Sequence, residues 1–387
     1  MAPELLLVFQ TRYEECTSML KGIAHFHRLH SPRRLFLDDQ ARSEADTKWL
    51  RSRKWDGAIS RHTTPALVRA CAEMGVPLVD LNDSEPFDGV PKIRPDNVGI
   101  GHMGAEHFIE RGYSHFAFCG FSNAGWAQER RDGFVEGLQL AGRTCEIFEV
   151  SYPGDLNPYW DAEQTTALVA WLEALPKPIG VMACNDLRAL QIMAATHSAG
   201  LVVPDDVAVL GVNNETIRCE LSNPPLSSVA PNAFRSGYEA AQLLEELLQG
   251  NRPKTLVRRI DALGVVLRHS TDVLAIQDRP TASALGYIRD HAHKGITVAD
   301  VMKHAFASRS QLEKKFRRHI GRSPQAEIRR VQVAKIRQLL AETDFPLKRI
   351  AELTGFEYIE YMSVVFKRLV GESPGAYRQK VQRRFKD

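Results

Sequence analysis

The C-terminal part of the chain repeats itself. Phe316, Gly321, Ser323 and Pro324 return as Phe366, Gly371, Ser373 and Pro374, and Phe306 and Leu312 return as Phe356 and Met362, all at an offset of 50. A short amphipathic stretch precedes each copy, "ITVADVMKHAF" and "FPLKRIAELTGF". Thr297 and Asp300 are spaced as a capping box, and Pro346 and Gly355 are spaced as helix start and turn. Leu312, Phe316 and Ile320 step by four, as do Tyr358, Met362 and Phe366, so each set marks one helical face. Each unit, 296–318 and 346–369, is therefore expected to be helix, tight turn, helix. Ser-Pro supplies an N-cap followed by the first helical position, so a further helix should follow each unit. "AEIRRVQVAKIRQLLAET" would join the two.

Charge divides at the same place. Residues 281–387 hold 22 Lys and Arg against 11 Asp and Glu, net +11, whereas residues 1–280 carry −8. A basic end on an acidic body suits a polyanionic partner for that end, although a solvated helical surface reads nearly as well from charge alone. Tandem helix-turn-helix units favour the polyanion. On "GFEYIEYMSVVFKRLVGESPGAYR" and "SRSQLEKKFRRHIGRSPQAEI", residues 282–380 resemble the DNA-binding domain of the arabinose-operon-regulator family. That resemblance implies an all-α domain, 282–387, whose second helices enter successive major-groove segments of double-stranded operator or promoter DNA. The helix from Tyr358 to Leu369 would then offer Ile359, Glu360, Ser363 and Val364 to bases, with Lys367 and Arg368 toward phosphates. Ile359 and Val364 can only touch thymine methyls. The first unit is more polar, with Arg309, Ser310, Gln311, Glu313 and Lys314 outward, and is expected to discriminate bases more strongly. Each of these residues reads equally well, taken singly, as an exposed side chain without a contact.

Before residue 270 the pattern changes. "ELLLVFQ", "RRLFLDD", "DGAIS" and "VPLVDLN" are strand candidates alternating with helical stretches such as "CTSMLKGIAHFHR" and "PALVRACAEMG". The alternation restarts later with "HFAFCG", "IGVMACND" and "DVAVLGVNN". This predicts two α/β lobes with parallel sheets and helices on both faces, and ligands in such sheets bind beyond the C-terminal strand ends. Asp96, Arg130, Asn185, Asp186 and Asn213 all fall there. Asp96, Asn185 and Asn213 also suit helix caps or turns, and Arg130 a neighbouring carboxylate; their recurrence at corresponding ends favours a cleft.

"DNVGIGHMGAEHFIERGYSHFAFCG", "ERRDGF", "ACNDLRAL", "VPDDVAVLGVNNE" and "PPLSSV" resemble the periplasmic-binding-protein-like sensor of lactose-repressor-type regulators. Those carry their DNA reader at the N-terminus; here the order is swapped, as in the xylose-operon regulator family, which the chain resembles over nearly its whole length. The resemblance implies a sensor over 1–270, a sugar inducer that is a pentose such as D-xylose, and gene activation; "QDRPTAS" suggests a linker over 271–281, the layout of a two-lobed sensor with a reader at its C-terminal end suggests a homodimer, and an activator would be expected to contact RNA polymerase. The resemblance puts the ligand residues on Asp96, Arg130, Asn185, Asp186 and Asn213, the last departing from the family's usual Asp. Carboxylates, amides and a guanidinium suit sugar hydroxyls, which both donate and accept. Trp126, Tyr13 or Phe121 would face the ring.

Other functions find little support. The sequence has no G-x-S-x-G elbow, no Walker loop and no metal-spaced His/Asp cluster, so neither an enzyme nor a cofactor is expected. His25, His27 and His30 sit close together, but His27 and His30 share a helix face with no third ligand in view, and "GIGHMG" sits in a helical pattern rather than a phosphate loop. The N-terminus lacks the pattern of a secretory signal, no run suits a membrane span, and six scattered cysteines suit a reducing compartment, so a cytoplasmic location is expected. A DNA-binding or architectural protein with a vestigial sensor, and less readily an α/β enzyme fused to a DNA-binding domain, remain the alternatives.

Overall fold

The computed structural model describes residues 4–379 except 31, 40–46, 84–86, 153–161, 252, 254, 273–277 and 344. The chain divides after Asp272 into two compact units. Residues 273–277 of the expected linker and 380–387 of the expected DNA-binding domain lie outside the described residues.

The first unit runs β1 (Glu4–Val8), α1 (Glu14–Leu29), β2 (Arg34–Asp38), α2 (Thr47–Arg51), β3 (Gly57–Ser60), α3 (Pro65–Met74), β4 (Leu78–Asp80), β5 (Lys92–Pro95), α4 (Asn97–Glu110), β6 (Phe116–Phe121), α5 (Gly125–Leu140), β7 (Glu146–Val150), α6 (Ala162–Ala174), β8 (Ile179–Ala183), α7 (Asp186–Ser198), β9 (Val207–Val212), α8 (Thr216–Leu221), β10 (Ser227–Ala230), α9 (Ala233–Leu248), β11 (Val257–Ile260) and β12 (Gly264–Val266). Two six-stranded sheets result, ordered β11-β5-β4-β3-β1-β2 and β12-β10-β9-β8-β6-β7. Every pairing is parallel except that of β12 with β10. The central strands β1, β3, β6, β8 and β9 are near-continuous buried runs because both faces are covered, whereas the edge strands β2, β7, β11 and β12 are partly exposed. In β1, Leu5 and Leu7 pack toward α1 and α9, while Leu6 and Val8 pack toward α3, the period-two alternation of a strand.

The order of strands shows how two lobes arise from one chain. β1 to β5 build the first lobe and β6 to β10 the second; the chain then returns through α9 and β11 to the first and crosses again into β12. α4 lies against α5, and "GIGHMG" lies in this helix pair rather than in a loop. A Cβ on Gly101 would overlap the Arg130 carbonyl, and one on Gly133 would overlap the Val98 carbonyl. The glycines allow the two helix backbones to touch.

The second unit comprises α10 (Arg279–His291), α11 (Val298–His304), α12 (Arg309–Ile320), α13 (Pro324–Glu342), α14 (Leu347–Leu353) and α15 (Ile359–Val370). Residues 279–281, expected in the linker, form the start of α10, capped by the Asp278 carboxylate accepting from Thr281 N. Ser323 caps α13 with Pro324 at its first position, and α13 serves two cores. Ile328 packs with Val301, Leu312 and Phe316 of the first helix-turn-helix; Val333, Ile336 and Leu340 pack with Ile350, Met362 and Phe366 of the second. Between them sits Gln332, 1 % exposed, whose Nε2 donates to Ala292 O at 3.0 Å and Thr354 O at 2.8 Å.

Two details of the repeat differ from the sequence reading. Tyr358 is the exposed N-cap of α15, and Val365 takes its place on the buried face beside Met362 and Phe366, because the helix starts one residue later. Phe306 and Phe356 are not counterparts either. Phe356 is buried, whereas Phe306 occupies the left-handed turn position (φ +49) that Gly355 (φ +73) fills in the second unit, which has one more residue in its turn. Gln332→Leu would strand two buried carbonyls, and we expect it to lower stability by about 1–3 kcal/mol, read from the thermal unfolding of the chain.

Candidate ligand cleft and nucleic-acid interface

A cavity of about 410 Å³ opens between the C-terminal ends of the two sheets. The first lobe contributes Tyr13, Glu15 and Cys16 from the start of α1, Arg61 and His62 after β3, and Asn82 and Asp83 after β4. The second contributes Trp126 and Arg130 from α5, Tyr152 after β7, Asn185 and Leu187 at α7, and Asn213, Glu215 and Arg218 around α8. Of the residues expected from sequence, Tyr13, Trp126, Arg130, Asn185 and Asn213 are brought together here. Asp96 and Asp186 are not among the lining residues.

Arg130 is 3 % exposed and aimed by its neighbours. Its Nε donates to Asn97 Oδ1 at 2.9 Å and its Nη1 to Cys184 O at 2.6 Å, while Nη2 stands 3.9 Å from Asp83 Oδ2. Two nitrogens of the guanidinium are thus engaged, and the residue lines the cavity. Burial depresses its proton affinity and the Asp83 carboxylate opposes this. Asp83 is held in turn by Arg94 and by the Asn97 amide at 3.1 Å, and Arg94 also binds Glu129 of α5 at 2.8 Å. Across the cavity Arg61 donates to Asn82 Oδ1 at 3.1 Å and Glu15 Oε2 at 3.3 Å. Arg218 pairs with Glu215. The guanidiniums of Arg61, Arg130 and Arg218 are therefore matched by the carboxylates of Glu15, Asp83 and Glu215, leaving a lining rich in donors and acceptors with little net charge. That chemistry suits hydroxyl groups.

The walls are aromatic. Trp126, Tyr152 and the buried Phe121 form one cluster, with ring centroids 5.0 to 6.0 Å apart. Tyr13 stands on the other lobe near His62. A second tie spans the lobes: Thr216 N and Oγ1 donate to the Glu14 carboxylate at 2.8 and 2.9 Å. Asn213 and Asn214 both have positive φ, +107 and +49, a costly backbone for residues with a side chain, which turns the chain sharply out of β9.

Asp186 does different work from its neighbour Asn185. It is fully buried; Oδ1 accepts from Ser228 Oγ at 2.6 Å and Oδ2 from Glu215 N at 2.7 Å, tying the ends of β8, β9 and β10. A Cβ on Gly211 would overlap this carboxylate. Asp96 is half-buried at the N-cap of α4, and the neighbouring Asn97 is the residue turned inward. Sequence reasoning missed Glu15, Arg61, Asp83, Glu215 and Arg218, and placed Asn97 at a strand end without giving it a role. Arg61 and Asp83 follow "DGAIS" and "VPLVD", so the strand-end rule applied to the first lobe would have found them.

The reader helices expose most of their expected contacts. In α12, Arg309, Ser310, Gln311 and Lys314 are exposed and Glu313 is half-buried. Gln311 also closes a capping box with Ser308, accepting from Ser308 N at 3.2 Å, and Glu313 pairs with Arg309 at 3.3 Å. In α15, Glu360, Val364 and Lys367 are exposed, Ser363 is half-buried, and Ile359 is half-buried against the core of the second unit. Among the described residues no helix is long and apolar enough to cross a membrane, and no group of three His, Cys, Asp or Glu is placed to hold a metal.

Burial pushes the Asp186 carboxyl up to about 7, against the lowering pull of its hydrogen bonds. In the unfolded chain it titrates near its ordinary value of about 3.9. Between these values the folded chain binds more protons, so the Asp186 contribution makes stability fall as pH rises from about 4 to about 7. We expect Asp186→Asn to flatten that part of the profile, in urea unfolding measured from pH 4.5 to 8.

Comparison with known proteins bears on both units. A periplasmic binding protein-like domain matches residues 105–271 and a helix-turn-helix domain matches 301–380. The xylose operon regulatory protein of Escherichia coli K12 is 31 % identical over 89 % of this chain and 88 % of its own length. That of Haemophilus influenzae is 30 % identical over 89 % of each. The solved structure of a xylose-binding transcription activator covers 97 % of both chains at 28 % identity with a TM-score of 0.72. The two α/β lobes and the C-terminal helix-turn-helix domain are thus matched over almost the full length, and the chain belongs to the family of xylose operon regulatory proteins, as a sugar-responsive, DNA-binding transcriptional regulator.

Proposed function

We propose that the chain is a cytoplasmic homodimeric activator that binds a neutral pentose, D-xylose or a close relative, in the cleft between its sensor lobes, and that its role is regulatory rather than enzymatic. The observation that carries this reading is the composition of the cleft. Matched guanidiniums and carboxylates disfavour a charged ligand, and the aromatic walls suit the faces of a sugar ring. The volume lies near the lower end of the range for small-molecule sites, roughly 300–1,000 Å³. The relatives regulate a xylose operon, and one is described as xylose-binding, which agrees with the chemistry.

In this reading Arg130, Asn185 and Asn213 hold hydroxyls from the second lobe, Glu15 and Arg61 from the first, and Trp126 and Tyr13 flank the ring. Asp186 sets the cleft floor, and Asp96 starts the helix that carries Asn97. Sugar shifts an equilibrium between lobe arrangements only so far as it binds one more tightly. The segment 271–281 passes the shift to the readers in 282–387. Arg309, Ser310 and Lys314 in the first unit, and Glu360, Ser363, Val364 and Lys367 in the second, are the proposed DNA contacts, with Gln311, Glu313 and Ile359 supporting them. RNA polymerase is the proposed target of activation.

A thermal-shift screen against pentoses and hexoses tests the ligand, since any ligand preferring the folded state raises its melting temperature. D-xylose should raise it in the wild type and should fail to do so, or do so only at about ten- to a hundredfold higher concentration, in Arg130→Ala. No shift with any sugar would favour a vestigial sensor. The fragment 278–387, which keeps the Asp278 cap and first turn of α10, should bind duplex DNA on its own, with affinity falling about 10³-fold or more between 50 and 200 mM salt if six or more phosphates are contacted. Fluorescence anisotropy measures this, and an absence of binding at low salt would refute the assignment.

A further inference from the structure

The two helix-turn-helix turns share a left-handed residue but not its chemistry. In the second unit that residue is Gly355, and a Cβ there would overlap the backbone of Gly295. In the first it is Phe306, with φ +49 and its side chain 97 % exposed. A phenylalanine in this conformation costs backbone energy that glycine avoids. The cost brings no packing: the core of Val301, Ala305, Leu312 and Phe316 closes without the ring. Neither folding nor solubility accounts for a bulky apolar side chain held in solvent on a strained backbone.

We propose that Phe306 is a DNA contact of the first unit, its ring packing on a thymine 5-methyl group beside the bases met by Arg309 and Ser310. Its position supports this, two residues before Ser308, the N-cap of α12. Ser308 and Gln311 engage each other in the capping box, which leaves Arg309 and Ser310 as the outward side chains of the first turn. Exposed cations stand close by in the chain, Lys303 before the turn and Arg309 at the start of α12. Among the described residues of this unit Phe306 is also the one exposed large hydrophobic. Large exposed apolar patches mark protein-partner sites, and among the described residues of this helix-turn-helix no other large hydrophobic is exposed beside Phe306 to form one. The major groove instead offers single methyl groups amid phosphates, where one aromatic among cations is complementary. This inference rests on the first unit being a DNA reader.

The test uses the full chain and a duplex selected from random-sequence DNA by the wild type. Phe306→Gly and Phe306→Asn both suit the left-handed turn, so their folding is protected, and Phe306→Gly should unfold no earlier than the wild type. Both should bind the selected duplex about tenfold more weakly. Replacing thymines one at a time by uracil, which removes only the methyl, should weaken wild-type binding at one position and leave Phe306→Gly indifferent there. Arg309→Ala serves as the control on the underlying reading. If Arg309→Ala weakens binding while Phe306→Gly binds as the wild type, or if wild type and Phe306→Gly respond alike to every uracil, the contact proposed here is wrong. Loss of reporter activation in Phe306→Gly with DNA binding intact would assign the ring to a protein partner and overturn it equally. If Arg309→Ala too binds as the wild type, the reader assignment itself fails and takes this inference with it.

Discussion

The polar junction of Asp83, Arg94, Asn97, Glu129 and Arg130 governs the sensor. Asp83 and Arg94 belong to the first lobe, and the other three lie on the helix pair of the second, so these bonds are made where one lobe hands the chain to the other. Charges this buried are costly unless every partner is in place, and breaking one pair typically costs about 3–5 kcal/mol. The arrangement therefore has few alternatives. It orients Arg130 by its Nε and Nη1, and it depends on glycines that let α4 and α5 approach closely enough for Asn97 to reach the guanidinium. Helix packing, lobe connection and cleft chemistry are one problem solved at one place.

How much of this was legible in the sequence differs by level. Apolar runs bounded by turns identified β1 to β4, β6, β8 and β9, whereas β5, β7, β10, β11 and β12, polar, short or half-exposed, carry no such run and went unread. The repeat around Phe316 and Phe366 likewise identified both reader helices. The direction of single side chains was less accessible. Adjacent residues at a helix start point different ways, so Asn185 lines the cavity while Asp186 turns under it, and Asn97 rather than Asp96 supports Arg130. Sequence position supplies the strand end; the cap geometry decides which of two neighbours faces the ligand. The offset of 50 misled for a similar reason. It holds from the start of each reader helix onward, but an extra residue in the second turn puts Phe306 opposite Gly355.

The two readers are unequal. The first begins with a capping box and offers polar and cationic side chains; the second begins at an uncapped tyrosine and offers Val364 and Glu360. Hydrogen-bonding groups discriminate among bases more sharply than methyl contacts do. On the proposed contacts, recognition would be weighted toward the first unit, with the second adding mainly shape and phosphate contact.

α13 has a further consequence. Its residues complete both reader cores, and Gln332 fastens the segments on either side of it. A shared rod of this kind behaves as a gauge block rather than a tether. One base pair inserted between two subsites moves the distal one by about 3.4 Å and swings it by roughly 35° around the duplex axis. A flexible tether would absorb that change, but a helix embedded in two cores cannot lengthen or untwist to follow it. On the proposed reading, in which both units engage one duplex, the spacing of their subsites would be set by the protein's own hydrophobic core, and such a site could vary in letters far more freely than in phase.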